Sequence, residues 1–199
     1  MKKIMFNDKY GLTEAVLDGR KTQTRRIIKL ANIYKVYLDD AFVFGFDQRK
    51  SLIIDMYAKY KVGEVVAVAQ SYSIVADYML RHNLPFFFDS ECAGWNNKMF
   101  VKAELMPSHI RITNIRVEKL QDISDEDCLE EGVLQIPIVG YYTNDIYYTN
   151  DMNKVAKSSK FTVYETPREA YAALIDKVSG KGTWESNPYV LAYDFERID

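Results

Sequence analysis

The run Val65-Val66-Ala67-Val68-Ala69 has no polar side chain to offer to water. Read as a strand, it is buried on both faces, so the chain must cover it from two sides. Its neighbours decide how. Ile110-Arg111-Ile112-Thr113 alternates, and so does Ile115-Arg116-Val117-Glu118. The apolar phase slips at Asn114, which predicts a β-bulge there. Residues 24–30, 100–105 and 189–198 read as further strands. Helical patterns are few and short. Residues 7–18 place Leu12, Ala15 and Val16 on one face, with Asn7 or Asp8 as cap and Gly19 as stop. Residues 74–81 form a second helix. Residues 124–131 form a third, capped by Ser124 and ended by Gly132. A fourth starts at Thr166-Pro167, buries Ala170, Tyr171, Leu174 and Val178, and ends at Gly180. Strands and helices follow no βαβ rhythm. The expected fold is therefore α+β, a compact mixed β-barrel flanked by short helices, rather than a doubly wound sheet.

At 199 residues the chain is long enough for one domain with a sizeable core. Three stretches look like insertions in it, near residues 31–59, 73–97 and 135–160. The first could hold a hairpin around Tyr34-Lys35-Val36-Tyr37-Leu38. With 26 basic and 28 acidic residues, a strongly cationic binder is excluded, but a local basic strip is not. Cys92 and Cys128 are too few for a disulfide framework, which points to a reducing compartment. No signal peptide and no apolar run of membrane-spanning length is visible. The expectation is a soluble, cytoplasmic protein with no membrane partner.

The sharpest motif is Gly19-Arg20-Lys21-Thr22-Gln23-Thr24-Arg25-Arg26. With Lys29 it carries five cations in eleven residues and no acid. One reading is a solvated turn whose arginines pair with acids elsewhere. The other is a phosphate-bearing ligand, since Arg and Lys hold phosphates through charge-assisted hydrogen bonds. A second motif has six acids in the ten residues from Asp122 to Glu131. Most would face solvent in the first turn of a helix. Glu131, directly before Gly132, is the one that could pair with Lys21 or act as an acid or base in a pocket. Trp184, before the last strand, either stacks on a base or plugs the barrel end. His82 and His109 are the only histidines and no CxxC or Gly-rich phosphate loop occurs, so no metal and no cofactor is expected.

Leu17-Asp18-Gly19-Arg20-Lys21-Thr22-Gln23-Thr24-Arg25-Arg26 resembles the signature of the ASCH domain family. Val62-Gly63-Glu64-Val65-Val66-Ala67-Val68 resembles its glycine turn and strand. The segment from Ile112 to Ile123 resembles its central strand, and the acidic helix ending Glu130-Glu131-Gly132 resembles the helix after that strand. Gly182-Thr183-Trp184-Glu185-Ser186-Asn187-Pro188-Tyr189-Val190 and the strand through Phe195-Glu196 resemble the closing segment of phage and prophage members. The resemblance implies a barrel related to the PUA fold, with RNA or a nucleotide bound beside the Gly-Arg-Lys-Thr segment. One small branch of the family hydrolyses N4-acetylcytidine with a lysine, a threonine and a glutamate. By motif position these fall on Lys21, Thr24 and Glu131, and Arg26 is kept too. Glu131 is matched by its spacing from Cys128, where the family more often has Ala. The chain is about twice the length of the minimal amidohydrolases, through the three insertions.

Three functions stand as expectations. The first is binding of RNA, or of a modified nucleoside or nucleotide, in a cationic cleft formed by Arg20, Lys21, Arg25 and Arg26, with Tyr72 or Trp184 stacking. The second is an amidohydrolase acting on N4-acylated cytosine nucleosides. Here Lys21, with its pKa lowered by burial or by neighbouring cations, would activate Thr24, and Glu131 would protonate the leaving amine. On a flat strand residues 21 and 24 face opposite sides, so this requires a turn between them. The third is a phage-derived protein-interaction module without ligand chemistry.

Overall fold

The computed structural model describes residues 1–29, 46–85, 89–136, 140–142 and 163–199. Their architecture is α+β. Five strands form one sheet: β1 (Lys2–Ile4), β2 (Gln23–Ile27), β3 (Val65–Val68), β4 (His109–Lys119) and β8 (Tyr189–Arg197), in the order β1-β3-β4-β8-β2. Only β1–β3 is parallel; the other pairings are antiparallel. Three shorter strands, β5 (Leu134–Ile136), β6 (Gly140–Tyr142) and β7 (Val163–Tyr164), pair in a second sheet. They fall in or beside the stretch expected to be an insertion, most of which lies outside the described residues.

The apolar run is β3, as its composition demands. Val66, Ala67 and Val68 are all essentially inaccessible, and the main core and a second, smaller cluster meet across this strand. The slip at Asn114 is a bulge: the β4–β8 register shifts between Ile112 and Asn114. It keeps Ile110 and Ile112 before it, and Ile115 and Val117 after it, in the core.

Pairing runs from β1 to β2 with no ladder joining those two edges among the described residues. A side chain spans them instead. Arg26 on β2 donates to the carbonyl of Met5, just past β1, at 2.7 Å.

The helices differ from the sequence reading in four places. The first is split: Asn7 caps a single 3-10 turn (Asp8–Tyr10), Gly11 adopts a left-handed conformation, and only then does α1 (Leu12–Leu17) begin. The 31–59 stretch contains α2 (Phe46–Tyr57), which pattern reading missed. Its buried stripe is narrow, with Ile53 at full burial and Ile54 and Tyr57 beside it. The expected hairpin at residues 34–38 lies outside the described residues. Residues 100–105 are not a strand. Their alternation is real, since Val101 and Ala103 are buried, but the carbonyls of Met99 and Val101 bond the Lys3 ammonium (2.7 and 2.8 Å) and a 3-10 turn (Ala103–Leu105) follows. Helix α3 (Tyr72–Arg81) begins slightly earlier than expected.

Helices α4 (Asp125–Glu130) and α5 (Pro167–Ser179) follow their signals closely. Ser124 accepts from the Asp127 amide, and Thr166 accepts from the Glu169 amide. In α5 the buried face is Ala170, Tyr171, Leu174 and Ile175, not Val178. Val178 lies in the last turn, where it is partly exposed beside a cavity. A one-turn helix, α6 (Thr183–Ser186), leads into β8. Among the described residues, no helix is long and apolar enough to cross a membrane.

Candidate functional site

The chain enters β2 through a turn that settles where Lys21 points. Gly19 takes φ +78°, a conformation that disfavours side chains, and closes α1. The Lys21 amide then donates back to Ala15 (2.8 Å), and the Thr22 amide donates to Glu130 (3.0 Å) at the end of α4. This stitches the cationic segment to the acidic helix. Gly132 completes the corner at φ +102°. A Cβ there would meet Leu12 at 3.3 Å and the Lys21 stem at 3.7 Å. The positive φ favours glycine and the space beside Leu12 is tight, and the corner lets Glu131 lie against Lys21.

The result is a buried ion pair. The Lys21 ammonium donates to Glu131 Oε2 at 2.5 Å and to the Glu131 carbonyl at 2.7 Å. The Lys21 and Glu131 side chains are 1% and 7% exposed. Burial pulls the Lys21 pKa below the ordinary lysine range. Glu131 opposes that shift, and the positive charges of Arg26 and Arg25 reinforce it.

The pair lines a cavity of about 450 Å³ together with Thr24, Arg26, Phe6 and Tyr171. Its size suits a small organic ligand. Phe6 forms an aromatic wall, with the Lys21 ammonium 5.9 Å and the Arg26 guanidinium 5.7 Å from its centroid. Thr24 is buried, and among the described residues nothing hydrogen-bonds its hydroxyl. The Tyr171 hydroxyl is buried and likewise without a partner. Burial, then the nearby Glu131 carboxylate, raises the Tyr171 pKa well above its usual value, so the phenol stays protonated.

Arg25 has a different environment. Its side chain is inaccessible and meets three carboxylates: Glu118 (2.8 Å), Asp127 (2.6 Å) and Glu131 (3.2 Å). Burial disfavours its charge, but Glu131 and Glu118 outweigh it and raise the pKa further. Gln23 joins this network through Asp127 (2.8 Å) and Glu130 (2.6 Å), and Arg116 joins through Asp127 (3.2 Å) and Asp194 (2.5 Å).

The structure thus brings Lys21, Thr24, Arg25, Arg26 and Glu131 around one cavity, with the Arg25 guanidinium committed to carboxylates. The other expected ligand contacts are corrected. Arg20 is exposed and pairs with Asp18 at 2.8 Å, held there by the turn. Tyr72 is buried in the second cluster, where its hydroxyl accepts from the Lys102 amide (2.8 Å), so its ring has no free face to stack. Trp184 packs edge-on against Tyr171 (6.1 Å) with the Arg168 guanidinium 5.3 Å from its ring. It is a plug against the main core.

Sequence reasoning missed Phe6, Tyr171 and the partners of Arg25. Glu118 and Arg116 alternate with core residues on β4, which puts them on the outer face, but nothing local shows that Arg25 reaches that face. Among the described residues, no group of three His, Cys, Asp or Glu side chains could hold a metal ion. Comparison with protein-family models, with curated proteins and with solved structures finds no match for the chain.

Proposed function

We propose that the chain is an ASCH-type, PUA-like protein that hydrolyses the N-acyl group of a cytosine-type nucleoside in the Lys21–Glu131 cavity. The observation that carries this reading is the buried ion pair on the wall of the same cavity as Thr24, whose hydroxyl has no hydrogen-bond partner among the described residues. A buried ion pair adds little stability over packed apolar residues. Its place on a cavity wall, with a lysine of lowered pKa, is the arrangement acid–base chemistry needs. The side-chain bridge between the two sheet edges supports the barrel relation.

In the proposed reaction Lys21 hands its proton to Glu131 across the short hydrogen bond and, as free amine, takes the proton of Thr24. The Thr24 oxygen bonds to the acyl carbon. The C–N bond breaks and Glu131 protonates the departing amine. Water then cleaves the acyl-threonine ester, releasing the acid and restoring the hydroxyl. The Tyr171 phenol has a hydrogen to donate. Binding without chemistry fits less well, because of the four cations it relied on only Arg26 has no carboxylate partner among the described residues.

The test is hydrolysis of N4-acetylcytidine followed by absorbance. Turnover by the wild type that is lost in Lys21→Ala is the expected result. A folded wild type with no turnover above a buffer blank overturns this substrate.

A further inference from the structure

A second cavity, of about 330 Å³, lies on the other side of the Arg26–Met5 bridge. Met5, Arg26 and Ile27 line both cavities. Three cations line the second one, Arg26, Lys29 and Lys59, and no carboxylate among the described residues does. Lys29 and Lys59 are exposed, and neither is paired with an acid among the described residues. Arg26 commits one donor to Met5, and among the described residues the rest of its fork has no hydrogen-bond partner.

Three tyrosines, Tyr57, Tyr60 and Tyr193, also line it. Tyr60 and Tyr193 are buried and meet edge-on at 5.5 Å. Each hydroxyl already has one partner. Tyr60 donates to Lys3 (2.9 Å), and Tyr193 accepts from the Lys59 amide (3.1 Å). Burial pushes the Tyr60 phenol up to about 12, so it brings no negative charge. Beside the half-buried Tyr57, what this cavity offers a ligand is positive charge with no counter-ion among the described residues.

We infer that this second cavity binds a phosphate group joined to the nucleoside in the first, with Arg26 reaching both parts, so that the substrate is a nucleotide rather than a free nucleoside. The inference rests on the amidohydrolase reading for the identity of the nucleoside, but not for the phosphate site. The phosphate could be the monoester of a free nucleotide or the diester of a strand. Both offer the same oxygens to Lys and Arg.

The experiment compares N4-acetylcytidine, its 5′-monophosphate and a short single strand carrying the same base, using the full chain at two salt concentrations. The expected kcat/KM is at least about tenfold higher for a phosphorylated form than for the nucleoside. In the double variant Lys29→Ala, Lys59→Ala that ratio falls toward one. With Lys29→Arg, Lys59→Arg it is kept. Equal rates for monophosphate and strand assign the site to a free nucleotide. A further, salt-sensitive gain for the strand assigns it to nucleic acid. A ratio of one in the wild type overturns the phosphate site and leaves the hydrolase standing. If no form is turned over, calorimetry with cytidine 5′-monophosphate against cytidine decides. A preference for the monophosphate that the alanine variant abolishes upholds the site and removes the hydrolase; no preference removes both.

Discussion

The two faces of β2 carry the same kind of residue to different ends. On one, Arg25 meets Glu118, Asp127 and Glu131 and is fully withdrawn from water. On the other, Arg26 is exposed between two cavities and bonds only a backbone carbonyl among the described residues. Neighbours in sequence, they differ because successive side chains of a strand point to opposite sides. The facing acids make the difference. A cationic motif makes an anion site only where the facing elements bring no carboxylate. Glu131 stands between the two cases, giving one oxygen to Arg25 and the other to Lys21.

The contrast can be broken most severely at Lys21. In Lys21→Ala, turnover of the N-acyl substrate should fall by about 100- to 10,000-fold, measured against a sample whose fold is verified by circular dichroism. Arg25→Met should act on stability instead. It removes the cation shared by three carboxylates, which keep Lys21, Arg116 and Gln23 as their remaining partners, and breaking a buried pair of this kind costs about 3–5 kcal/mol; denaturant titration measures it. If Arg25→Met leaves stability intact and abolishes turnover alone, the division between the two faces is wrong.

Arg26→Ala sharpens the comparison through pH. Because the mechanism starts from the Lys21 ammonium, whose proton passes through Glu131 to the leaving amine, kcat/KM should fall as pH rises through the Lys21 pKa, and that limb should lie below the ordinary lysine value of about 10.4. Arg26 is one of the charges that lowers the Lys21 pKa. Removing a positive neighbour favours the ammonium, so the limb should move to higher pH in Arg26→Ala. A limb that stays put or moves down contradicts the assignment of Lys21 as base. The smallest effect belongs to Arg20→Ala. Its surface pair with Asp18 contributes at most about 1 kcal/mol, and neither rate nor midpoint should change beyond that.

Much of this arrangement is legible in the sequence. The meeting of Lys21 with Glu131 is one of the readings left open by a cation block and an acid placed just before a helix-ending glycine. The bulge follows from a one-residue slip of phase, and the start of α5 from Thr166-Pro167. The misreadings share a physical origin. Residues 100–105 alternate like a strand, but a strand exists only with a partner, and here Lys3 takes the carbonyls. Helix α2 buries so narrow a stripe that periodicity barely registers. For Tyr72 and Trp184, an aromatic side chain serves core or ligand contact alike, and although the plug is the commoner role for Trp184, only their neighbours decide. The pairing of Arg25 depends on Glu118 and Asp127, brought together by tertiary structure alone.

The bulge in β4 also bears on the gene. Thr113 is the residue by which β4 exceeds its partner, since Ile112 faces Phe195 and Asn114 faces Asp194. Deleting that one codon would remove the bulge and leave a regular ladder: Asn114 would follow Ile112 and still face Asp194, and Ile115 and Val117 would still point into the core. The fold should therefore tolerate a three-nucleotide deletion at this codon. The loss of a single codon later in the strand, at Arg116, has no bulge to absorb it. It would turn Val117 out and Glu118 in.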